Sequence, residues 1–360
     1  MKALVAQELN RFGIEDLELA PPKAFEVKIK MAAVGVCHTE LHVINGTIPF
    51  PMPVALGHEG AGVVEAIGEG VTHVQPGDHV VMASWPNCGR CFHCVRGEAF
   101  ICQSQPIGGL MVDGTSRLSL RGKPVAALCS LGNIAEYVVC PAMHVVPIPR
   151  DIPLRAAALL GCGATCGVGA VLNTAKVRPG SNVAVFGCGG AGMATIQGAR
   201  IAGALRIFAV DVSDDKLELA KRFGATHLVR AADAVDELLR QTGGIGVDYA
   251  FEVVGIPSVV ETAYSVTRRG GMTVVLGVGK LTDNIQINAL GLPMLGKTLV
   301  GSLFGSVNVQ VDFPKLLGLY RAGKLDLDGM ITRTYTLDQA VQAVEDMERG
   351  KNVRGVIVMD

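Results

Sequence analysis

The chain has 360 residues, and because a single hydrophobic core rarely grows beyond about 250 to 300 residues, this length predicts two domains. The 32 lysine and arginine residues nearly balance the 33 aspartate and glutamate residues, which excludes a general electrostatic attraction for nucleic acid or an anionic membrane. A small or uncharged partner is therefore expected.

The region up to about residue 150 is rich in glycine and proline and contains short alternating runs. Residues 26–36 ("EVKIKMAAVGV") and 60–71 ("GAGVVEAIGEGV") predict antiparallel β-strands joined by turns. Residues 1–20 include acidic side chains and have no apolar run before a small-residue cleavage site, so they do not predict a secretory signal. We expect a β-rich region in a cytoplasmic protein.

Three candidate metal ligands are dispersed along the chain: Cys37, His58 and Cys162, with Glu59 directly after the histidine. Taken singly, a cysteine is most often apolar filler, and a histidine is more often a satisfied core residue than a ligand. Taken together, two thiolates and an imidazole can hold zinc and leave its fourth position open, which is the arrangement of a catalytic site.

A denser group of cysteines lies within residues 88–102, in the spacing C-x2-C-x2-C-x7-C. Its members are Cys88, Cys91, Cys94 and Cys102. Disulfides explain such a group poorly in a reducing compartment, whereas four thiolates from one loop form the tetrahedral set that a structural zinc takes. A redox role or chance is the alternative. His93 lies among the cysteines and could replace one sulfur, although four suitably spaced cysteines make this unnecessary.

Residues 156–172 ("AAALLGCGATCGVGAVL") come closest to a membrane span. The segment is nevertheless glycine-rich, interrupted by Thr165 and shorter than the roughly 20 residues that a bilayer requires. It predicts a buried turn and helix, and no membrane partner is expected.

From about residue 180, apolar strand-like runs alternate with helical stretches such as 213–224 ("SDDKLELAKRFG"). The strand-like runs are 182–187, 206–211, 247–253 and 273–278. This alternation predicts an α/β fold with a parallel sheet wrapped by helices. Helical patterns at 311–323 and 336–350 and a strand-like 355–360 close the chain.

The segment "NVAVFGCGGAG" places Gly187, Gly189 and Gly192 as G-x-G-x-x-G directly after a predicted strand and at the start of a predicted helix. The first glycine allows a tight turn, the second lets the backbone approach a pyrophosphate, and the third packs the helix on the strand. The N–H groups of the helix N-terminus would bind the anion. A purely structural turn is the alternative, since the chain has 45 glycines.

Asp211 ends the next predicted strand, where a carboxylate would accept hydrogen bonds from the adenosine ribose. The same charge repels a 2′-phosphate, and the following "VSDDK" contains no arginine to receive one, so NAD is favoured over NADP. Lys216 could also reach the ribose, or it could be a solvated lysine at the start of a helix.

"GHEGAGVVEAIGEGV", the four-cysteine segment and "GCGGAG" follow one another in an order that resembles the zinc-containing alcohol dehydrogenases of the medium-chain dehydrogenase/reductase superfamily. "DGTSRLSLRGKP" and "NVRGVIV" resemble its long-form, liver-type subgroup in particular. The resemblance implies a GroES-like, β-rich catalytic domain over residues 1–163. It also implies a Rossmann domain with a doubly wound parallel sheet for the coenzyme over 164–303, and a return to the catalytic domain over 304–360.

The resemblance also implies roles for individual residues. The catalytic zinc ligands are Cys37, His58 and Cys162, with Glu59 beside the metal and Glu40 orienting the histidine. The structural zinc ligands are Cys88, Cys91, Cys94 and Cys102. Thr39 binds the substrate oxygen and His42 ends the proton relay. Coenzyme contacts are His38, Gly187, Gly189, Gly190, Gly192, Asp211, Lys216, Val278 and Arg354.

The implied activity is that of an NAD-dependent dehydrogenase with two zinc ions per chain, which interconverts alcohols with aldehydes or ketones by hydride transfer. One alternative is a glutathione-dependent formaldehyde (S-hydroxymethylglutathione) dehydrogenase, and another is a zinc- and nucleotide-binding sensor without turnover. The first alternative is disfavoured because residues 103–109 ("QSQPIGG") contain no arginine to pair a glutathione carboxylate. Ile48, Phe50 and Met52 would line an approach for a hydrophobic or aromatic alcohol, or would simply pack their loop onto the domain.

An oligomer is expected as well. Residues 298–305 ("TLVGSLFG") predict an apolar edge strand that would pair with a second copy of the chain, and the resemblance agrees with a homodimer. A tetramer is the alternative, since some relatives form one.

Overall fold

The computed structural model describes residues 1–106 and 108–359, which divide into two compact units. Unit 1 comprises Met1–Gly163, Asn308–Gly318 and the chain from Leu327 onward, and unit 2 comprises Ala164–Val307 and Leu319–Asp326. Among the described residues, no single helix has the length and apolar composition of a membrane span, although the consecutive helices 154–161 and 163–174 pass that test as a pair.

Strands and α-helices are numbered along the chain. The strands are β1 (Lys2–Glu8), β2 (Arg11–Asp16), β3 (Glu18–Leu19), β4 (Glu26–Gly35), β5 (Val54–Ala55), β6 (Gly60–Ile67), β7 (His79–Met82), β8 (Leu118–Leu120), β9 (Lys123–Ala127), β10 (Tyr137–Pro141), β11 (Val145–Pro147), β12 (Asn182–Phe186), β13 (Arg206–Asp211), β14 (His227–Arg230), β15 (Val247–Glu252), β16 (Thr267–Val275), β17 (Thr298–Gly301), β18 (Arg333–Tyr335) and β19 (Gly355–Val358). The helices are α1 (His38–Ile44), α2 (Phe92–Val95), α3 (Leu154–Ala158), α4 (Gly163–Gly169), α5 (Gly190–Ile201), α6 (Asp214–Phe223), α7 (Ala234–Gln241), α8 (Pro257–Val266), α9 (Gly291–Leu295), α10 (Val309–Arg321) and α11 (Ala340–Glu348).

Unit 1 consists mainly of two β-sheets. One has the strand order β2-β1-β5-β9-β8-β3, and the other β11-β7-β6-β4-β19-β18 with β10 also paired to β4. Most neighbours are antiparallel, as the sequence predicts, but β5–β9 and β18–β19 are parallel. In β4 the alternate residues Val27, Ile29 and Met31 enter the main core of the unit, as the period-2 pattern of a strand requires.

Unit 2 contains a parallel sheet in the order β14-β13-β12-β15-β16-β17. Numbered within the unit, this order is 3-2-1-4-5-6, that of doubly wound dinucleotide-binding folds. The strand order reverses direction between β12 and β15, and in such sheets ligands bind at the carboxyl ends of the strands at this point. The α/β fold with a parallel sheet is therefore confirmed.

Helix α6 shows how local sequence sets the helix boundaries. The Ser213 hydroxyl accepts a hydrogen bond from the Lys216 N–H at 3.5 Å, and this caps the first turn. Gly224 ends the helix in the left-handed conformation at φ 117°, which glycine adopts without steric cost. The predicted helix over 213–224 is confirmed.

Two elements differ from expectation. The predicted strand 298–305 ends at Gly301, because Phe304 and Gly305 take positive φ values of 48° and 66° and turn the chain into a short 3-10 segment. Strand β14 was not anticipated, since "HLVR" is short and only half apolar. Its pairing with β13 places Arg230 beside Asp211, at the carboxyl ends of the strands, where ligands bind in such sheets.

Candidate metal centres and nucleotide site

The first donor cluster of unit 1 begins where α1 starts. Cys37 is the N-cap of α1, and its backbone N–H donates to Glu40 Oε2 at 2.8 Å in a capping box. The other oxygen of the same carboxylate, Oε1, accepts from His58 Nδ1 at 2.5 Å. One buried carboxylate therefore fixes the backbone of one candidate ligand and the ring of another.

The ring of His58 is oriented for metal binding. His58 is 1 % exposed, and its Nε2 has no hydrogen-bond partner among the described residues. Since the Glu40 carboxylate can only accept, Nδ1 carries a proton, and Nε2 is the ring nitrogen left for a metal ion. An unpaired buried nitrogen is costly unless something binds it, and a metal ion fits this requirement.

Three further donors lie close to the His58 ring. Ligand atoms of Cys37, His58, Glu59 and Cys162 all lie within 4.8 Å of one another. Cys162 reaches the cluster from the turn between a 3-10 segment and α4. Two sulfurs and one imidazole form a soft donor set that suits zinc, with one coordination position left for another ligand. The structure thus brings the three dispersed candidates together.

The electrostatics of the cluster favour the thiolate of Cys37 and the charged ring of His58, so a metal ion that binds His58 would displace a ring proton. The hydrogen bond with Cys162 holds the pKa of the Cys37 thiol well below its usual value, and His58 acts in the same direction, although burial opposes both. Burial alone would lower the pKa of His58, but the Glu40 carboxylate and Cys37 raise it well above its usual value. Cys37 is therefore readily available as the thiolate, the form that binds metal.

Glu59 and Arg354 form a buried pair beside the cluster. Arg354 Nη1 lies 3.3 Å from Glu59 Oε2 and also donates to the Val36 carbonyl at 3.1 Å. The Gly163 N–H donates to the same Glu59 oxygen at 3.3 Å. Burial raises the pKa of Glu59 to about 8, against the opposing effect of the guanidinium. Arg354, assigned to the coenzyme by resemblance, thus contacts residues next to the zinc ligands.

The three other residues assigned from α1 lie close together on it. Thr39 Oγ1 is 3.7 Å from Cys37 Sγ, so the threonine borders the donor cluster. His42 follows one turn later and is partly buried, and its ring centroid is 6.4 Å from that of the exposed His38. Burial and the neighbouring His38 lower the pKa of His42, which keeps the imidazole neutral near pH 7 and able to accept a proton.

The second donor cluster is the four-cysteine segment, with α2 inside it. The sulfurs of Cys88, Cys91, Cys94 and Cys102 all lie within 4.8 Å of one another. Two of the separations are 4.0 and 3.9 Å, near the value of about 3.8 Å that tetrahedral geometry with Zn–S bonds of about 2.3 Å requires. His93 Nδ1 lies 3.0 Å from the Glu98 carboxylate, so this histidine has another partner. The donor set fits a structural zinc without it.

The glycine motif of unit 2 forms the turn between β12 and α5. Gly187 has φ 99°, which favours glycine, and a Cβ on Gly192 would collide with the Gly187 carbonyl. Gly189 is the N-cap of α5, and nothing lies within 4 Å of the position of an added Cβ. The turn therefore leaves open space in front of the helix N-terminus, where Gly190 begins α5, as a pyrophosphate would require.

Asp211 lies at the carboxyl end of β13, beside this turn. Its Oδ2 accepts the Cys188 N–H at 2.7 Å and its Oδ1 accepts the Ser213 N–H at 2.9 Å. A carboxylate offers about four acceptor positions, so room remains for ribose hydroxyls. Lys216 lies partly buried in the first turn of α6, and Val278 lies exposed just after β16.

Comparison with known proteins assigns the family. Residues 23–150 match the alcohol dehydrogenase GroES-like domain, and residues 190–322 match the zinc-binding dehydrogenase domain. An alcohol dehydrogenase zinc-binding domain protein from Burkholderia ambifaria has 35 % identity and a TM-score of 0.94, over 100 % of this chain and 98 % of its own. The chain belongs to the zinc-containing alcohol dehydrogenases of the medium-chain dehydrogenase/reductase superfamily.

Two other solved structures are similar over the whole chain. Benzyl alcohol dehydrogenase from Acinetobacter calcoaceticus has 32 % identity and a TM-score of 0.94, over 100 % of this chain and 99 % of its own. An alcohol dehydrogenase from Thermus sp. ATN1 has 27 % identity and a TM-score of 0.85, over 100 % of both chains. A GroES-like domain, a Rossmann-type domain and an oxidoreductase function of the zinc-dependent alcohol dehydrogenase type follow from this membership.

One residue beside the candidate nucleotide site of this zinc alcohol dehydrogenase was not anticipated from its sequence. Arg230 ends β14 and pairs in register with Asp211, the last residue of β13. Its Nη1 donates to the Val212 carbonyl and lies 3.0 Å from Asp214 Oδ1. Arg230 is 19 residues from Asp211 in the sequence, and the sole signal for its position is the short strand-like "HLVR".

Proposed function

We propose that the protein is an NAD-dependent zinc alcohol dehydrogenase that interconverts alcohols with aldehydes or ketones and holds two zinc ions per chain. The observation that carries this proposal is the cluster of Cys37, His58 and Cys162, whose ligand atoms lie within 4.8 Å of one another, together with a His58 Nε2 that has no hydrogen-bond partner among the described residues. Three such ligands leave one zinc position for a substrate, whereas a purely structural site would be closed.

The chain's own residues account for substrate orientation and proton transfer. When bound, zinc supplies a Lewis acid that lowers the pKa of an alcohol, and NAD supplies the hydride acceptor. Thr39, at the edge of the cluster, would hold the alcohol hydroxyl by a hydrogen bond. His42, one helical turn away on the same face of α1, would accept the proton at a ring nitrogen. Glu40 keeps Cys37 and His58 in place.

NAD rather than NADP is the proposed coenzyme. Two backbone N–H groups hold the Asp211 carboxylate at the carboxyl end of β13, where the adenosine ribose would bind. A fixed negative charge at this place favours ribose hydroxyls, which can donate to it, and repels a 2′-phosphate.

Free hydrophobic or aromatic primary alcohols are the proposed substrates. Residues 103–109 contain no basic side chain to pair a glutathione carboxylate, and Ile107 within that segment lies outside the described residues. Support also comes from similarity to a protein named for benzyl alcohol. The loop residues Ile48, Phe50 and Met52 are partly buried against the main core of unit 1. These residues thus pack their loop onto the domain, whether or not they also line a substrate approach, and the substrate proposal does not rest on them.

Initial rates of NADH formation test the proposal. The zinc-loaded protein should oxidise benzyl alcohol and medium-chain primary alcohols with NAD, with much lower efficiency on S-hydroxymethylglutathione. Cys162→Ser should abolish turnover yet retain NADH binding, measured by fluorescence, because Cys162 lies in the donor cluster of unit 1. Preference for the glutathione adduct would contradict the substrate assignment, and NADH binding without turnover of any alcohol would favour a sensor.

We also propose a cytoplasmic homodimer. None of the ten cysteines, all of them among the described residues, forms a disulfide, which is consistent with a reducing compartment. β17 is at one edge of the parallel sheet, and the exposed side chains of Leu290 and Met294 precede it along the chain. An apolar sheet edge of this kind favours pairing with a second copy.

A further inference from the structure

Two residues of opposite charge are neighbours in the strand register at the carboxyl edge of the parallel sheet. β13 ends at Asp211 and β14 ends at Arg230, and the two residues are partners in the strand register. Neighbouring strands are about 4.8 Å apart, so both side chains start from the same part of the edge. In dinucleotide-binding folds an acidic residue at the place of Asp211 binds the ribose, and an arginine nearby accommodates the 2′-phosphate of NADP.

We propose that Arg230 is a second determinant of coenzyme choice. In this chain its guanidinium is bound to the Val212 carbonyl and to Asp214. It binds a 2′-phosphate once the charge of Asp211 is removed. The inference rests on the proposed nucleotide site and deepens it. The segment after Asp211 contains no arginine that could bind the phosphate. The inference assigns this role to Arg230, a residue of the neighbouring strand.

The arrangement explains why the arginine does not make this chain accept NADP. Asp211 is 9 % exposed, and hydrogen bonds from Cys188 and Ser213 hold both of its carboxylate oxygens. The carboxylate therefore has no freedom to turn away from an incoming phosphate. Its repulsion acts at short range in a partly dehydrated site, where charges interact more strongly than in water.

The partners of Arg230 are easily exchanged. The ion pair with Asp214 lies at the surface, with the two side chains 48 % and 78 % exposed. Such exposed pairs contribute little to stability, because solvent screens the charges and ordering two long side chains costs entropy. A phosphate offers the guanidinium a bidentate, charge-assisted interaction that is stronger than the exposed pair. Arg230 can thus leave Asp214 for a phosphate without a large loss elsewhere.

The other donors at this edge are less suited to the phosphate. The first turn of α6 carries Asp214 and Asp215, whose charges oppose anion binding at that helix N-terminus. Lys216 is the competing cation, but it stems from the same acidic turn. Arg230 stems from β14, so its backbone lies outside this acidic turn and is fixed by the sheet.

The test uses isothermal titration of the zinc-loaded full chain with adenosine 5′-monophosphate and adenosine 2′,5′-bisphosphate. The two probes differ by the 2′-phosphate, and neither requires turnover. In Asp211→Gly, the affinity ratio of bisphosphate to monophosphate should rise about tenfold or more. Adding Arg230→Gln to that variant should reverse most of this gain, again by about tenfold, as for one charge-assisted interaction. The experiment is repeated with Asp211→Ser in place of Asp211→Gly. Serine also removes the charge but restricts the backbone more than glycine does.

The matched control is Arg222→Gln in the same backgrounds. Arg222 is an exposed arginine in the last turn of α6, where it pairs with Asp326 at 3.8 Å, so its loss changes the net charge equally but at the opposite end of the helix. The ratio should change less than about twofold, since screening weakens a charge at that distance.

If the gain in Asp211→Gly survives Arg230→Gln, or is lost equally with Arg222→Gln, the inference is wrong and Lys216 or net charge carries the effect. If the unchanged protein does not bind the monophosphate, the proposed nucleotide site itself fails.

Discussion

At the scale of single residues, Glu40 has the most connected role in the candidate zinc site. It is fully buried, and its two carboxylate oxygens bind the Cys37 N–H and the His58 ring. The first contact starts a helix and the second selects the histidine tautomer that presents Nε2. The two contacts require two acceptor oxygens on a side chain of this length. Glutamine has only one acceptor oxygen and aspartate is shorter, so neither can replace Glu40 fully.

Glu40→Gln should weaken zinc binding at the catalytic cluster by about 10- to 100-fold, the usual range for loss of a carboxylate behind a metal-bound histidine. The amide NH2 cannot accept, so one of the two hydrogen bonds is lost and stability should fall by about 1 kcal/mol or more. Competition with a chromophoric chelator measures the affinity. Glu65→Gln, which removes an exposed carboxylate paired with Lys28, is the control and should leave it unchanged. Equal affinities in both variants would disprove the role of Glu40.

His42→Gln should slow alcohol oxidation, and most strongly toward acidic pH. Burial and His38 lower the pKa of His42, so the imidazole is the neutral base above that lowered pKa and is protonated only below it. In the unchanged protein kcat/KM should therefore rise with pH through a value below about 6.5. The variant should lose this inflection, because it has no imidazole to titrate. Its proton must go to solvent bases instead, and these are scarce at acidic pH. His73→Gln, which removes an imidazole elsewhere in unit 1, should keep the profile, and an unchanged profile in His42→Gln would exclude it as the base.

At the scale of elements, the four-cysteine segment contains little regular structure of its own. Its only α-helix among the described residues is the four-residue α2, and Phe92 and Val95 within that helix are 61 % and 69 % exposed. A segment that buries so little apolar surface needs another source of stability. Four converging thiolates provide it if zinc is bound, because the binding energy of a structural metal is folding energy.

Replacing one cysteine in each donor cluster should therefore have separate consequences. Cys91→Ser should remove the zinc of the segment 88–102 and lower the midpoint of thermal unfolding. Cys162→Ser should remove the other zinc and abolish turnover. Elemental analysis should find two zinc ions in the unchanged chain and one in each variant, which makes each variant the control for the other. A fully active preparation with a single zinc would contradict the assignment of two sites.

At the scale of the whole molecule, each unit carries one part of the proposed chemistry. Both donor clusters belong to unit 1, and the glycine turn with Asp211 belongs to unit 2. The parallel sheet of unit 2 ends at β17, an edge strand whose N–H and C=O groups are available on one side.

The protein should sediment as a dimer, and Val300→Lys in β17 should shift it toward the monomer. A lysine on an edge strand opposes pairing with a second strand, since its charge would have to be buried. Ile245→Lys, which introduces the same charge at a 68 % exposed apolar position of unit 2, is the control and should remain dimeric. Sedimentation velocity distinguishes the species. A stable, active monomer of the unchanged chain would contradict pairing through this edge.

Local patterns in the sequence determined a large part of this protein. The cysteines of residues 88–102 are close in sequence, so chain geometry alone brings their sulfurs together, and the glycine turn with its flanking strand and helix is likewise contiguous. The alternation of strands and helices was sufficient to predict the parallel sheet. The spacing of apolar residues distinguishes the two kinds of element, because it follows from which face of a strand or helix is buried. Strand "HLVR" was missed because so short a segment has too few positions to show a period.

Only the tertiary structure decided which distant residues meet. The convergence of Cys37, His58 and Cys162 depends on the end of β4, the approach to β6 and the turn before α4, which no local pattern relates. Sequence resemblance could suggest the set, but the unpartnered Nε2 of His58 is a property of packing. Likewise, Arg230 lies beside Asp211 because parallel strands pair across a long connection, and hydrogen bonding between strands, not proximity in sequence, sets that register.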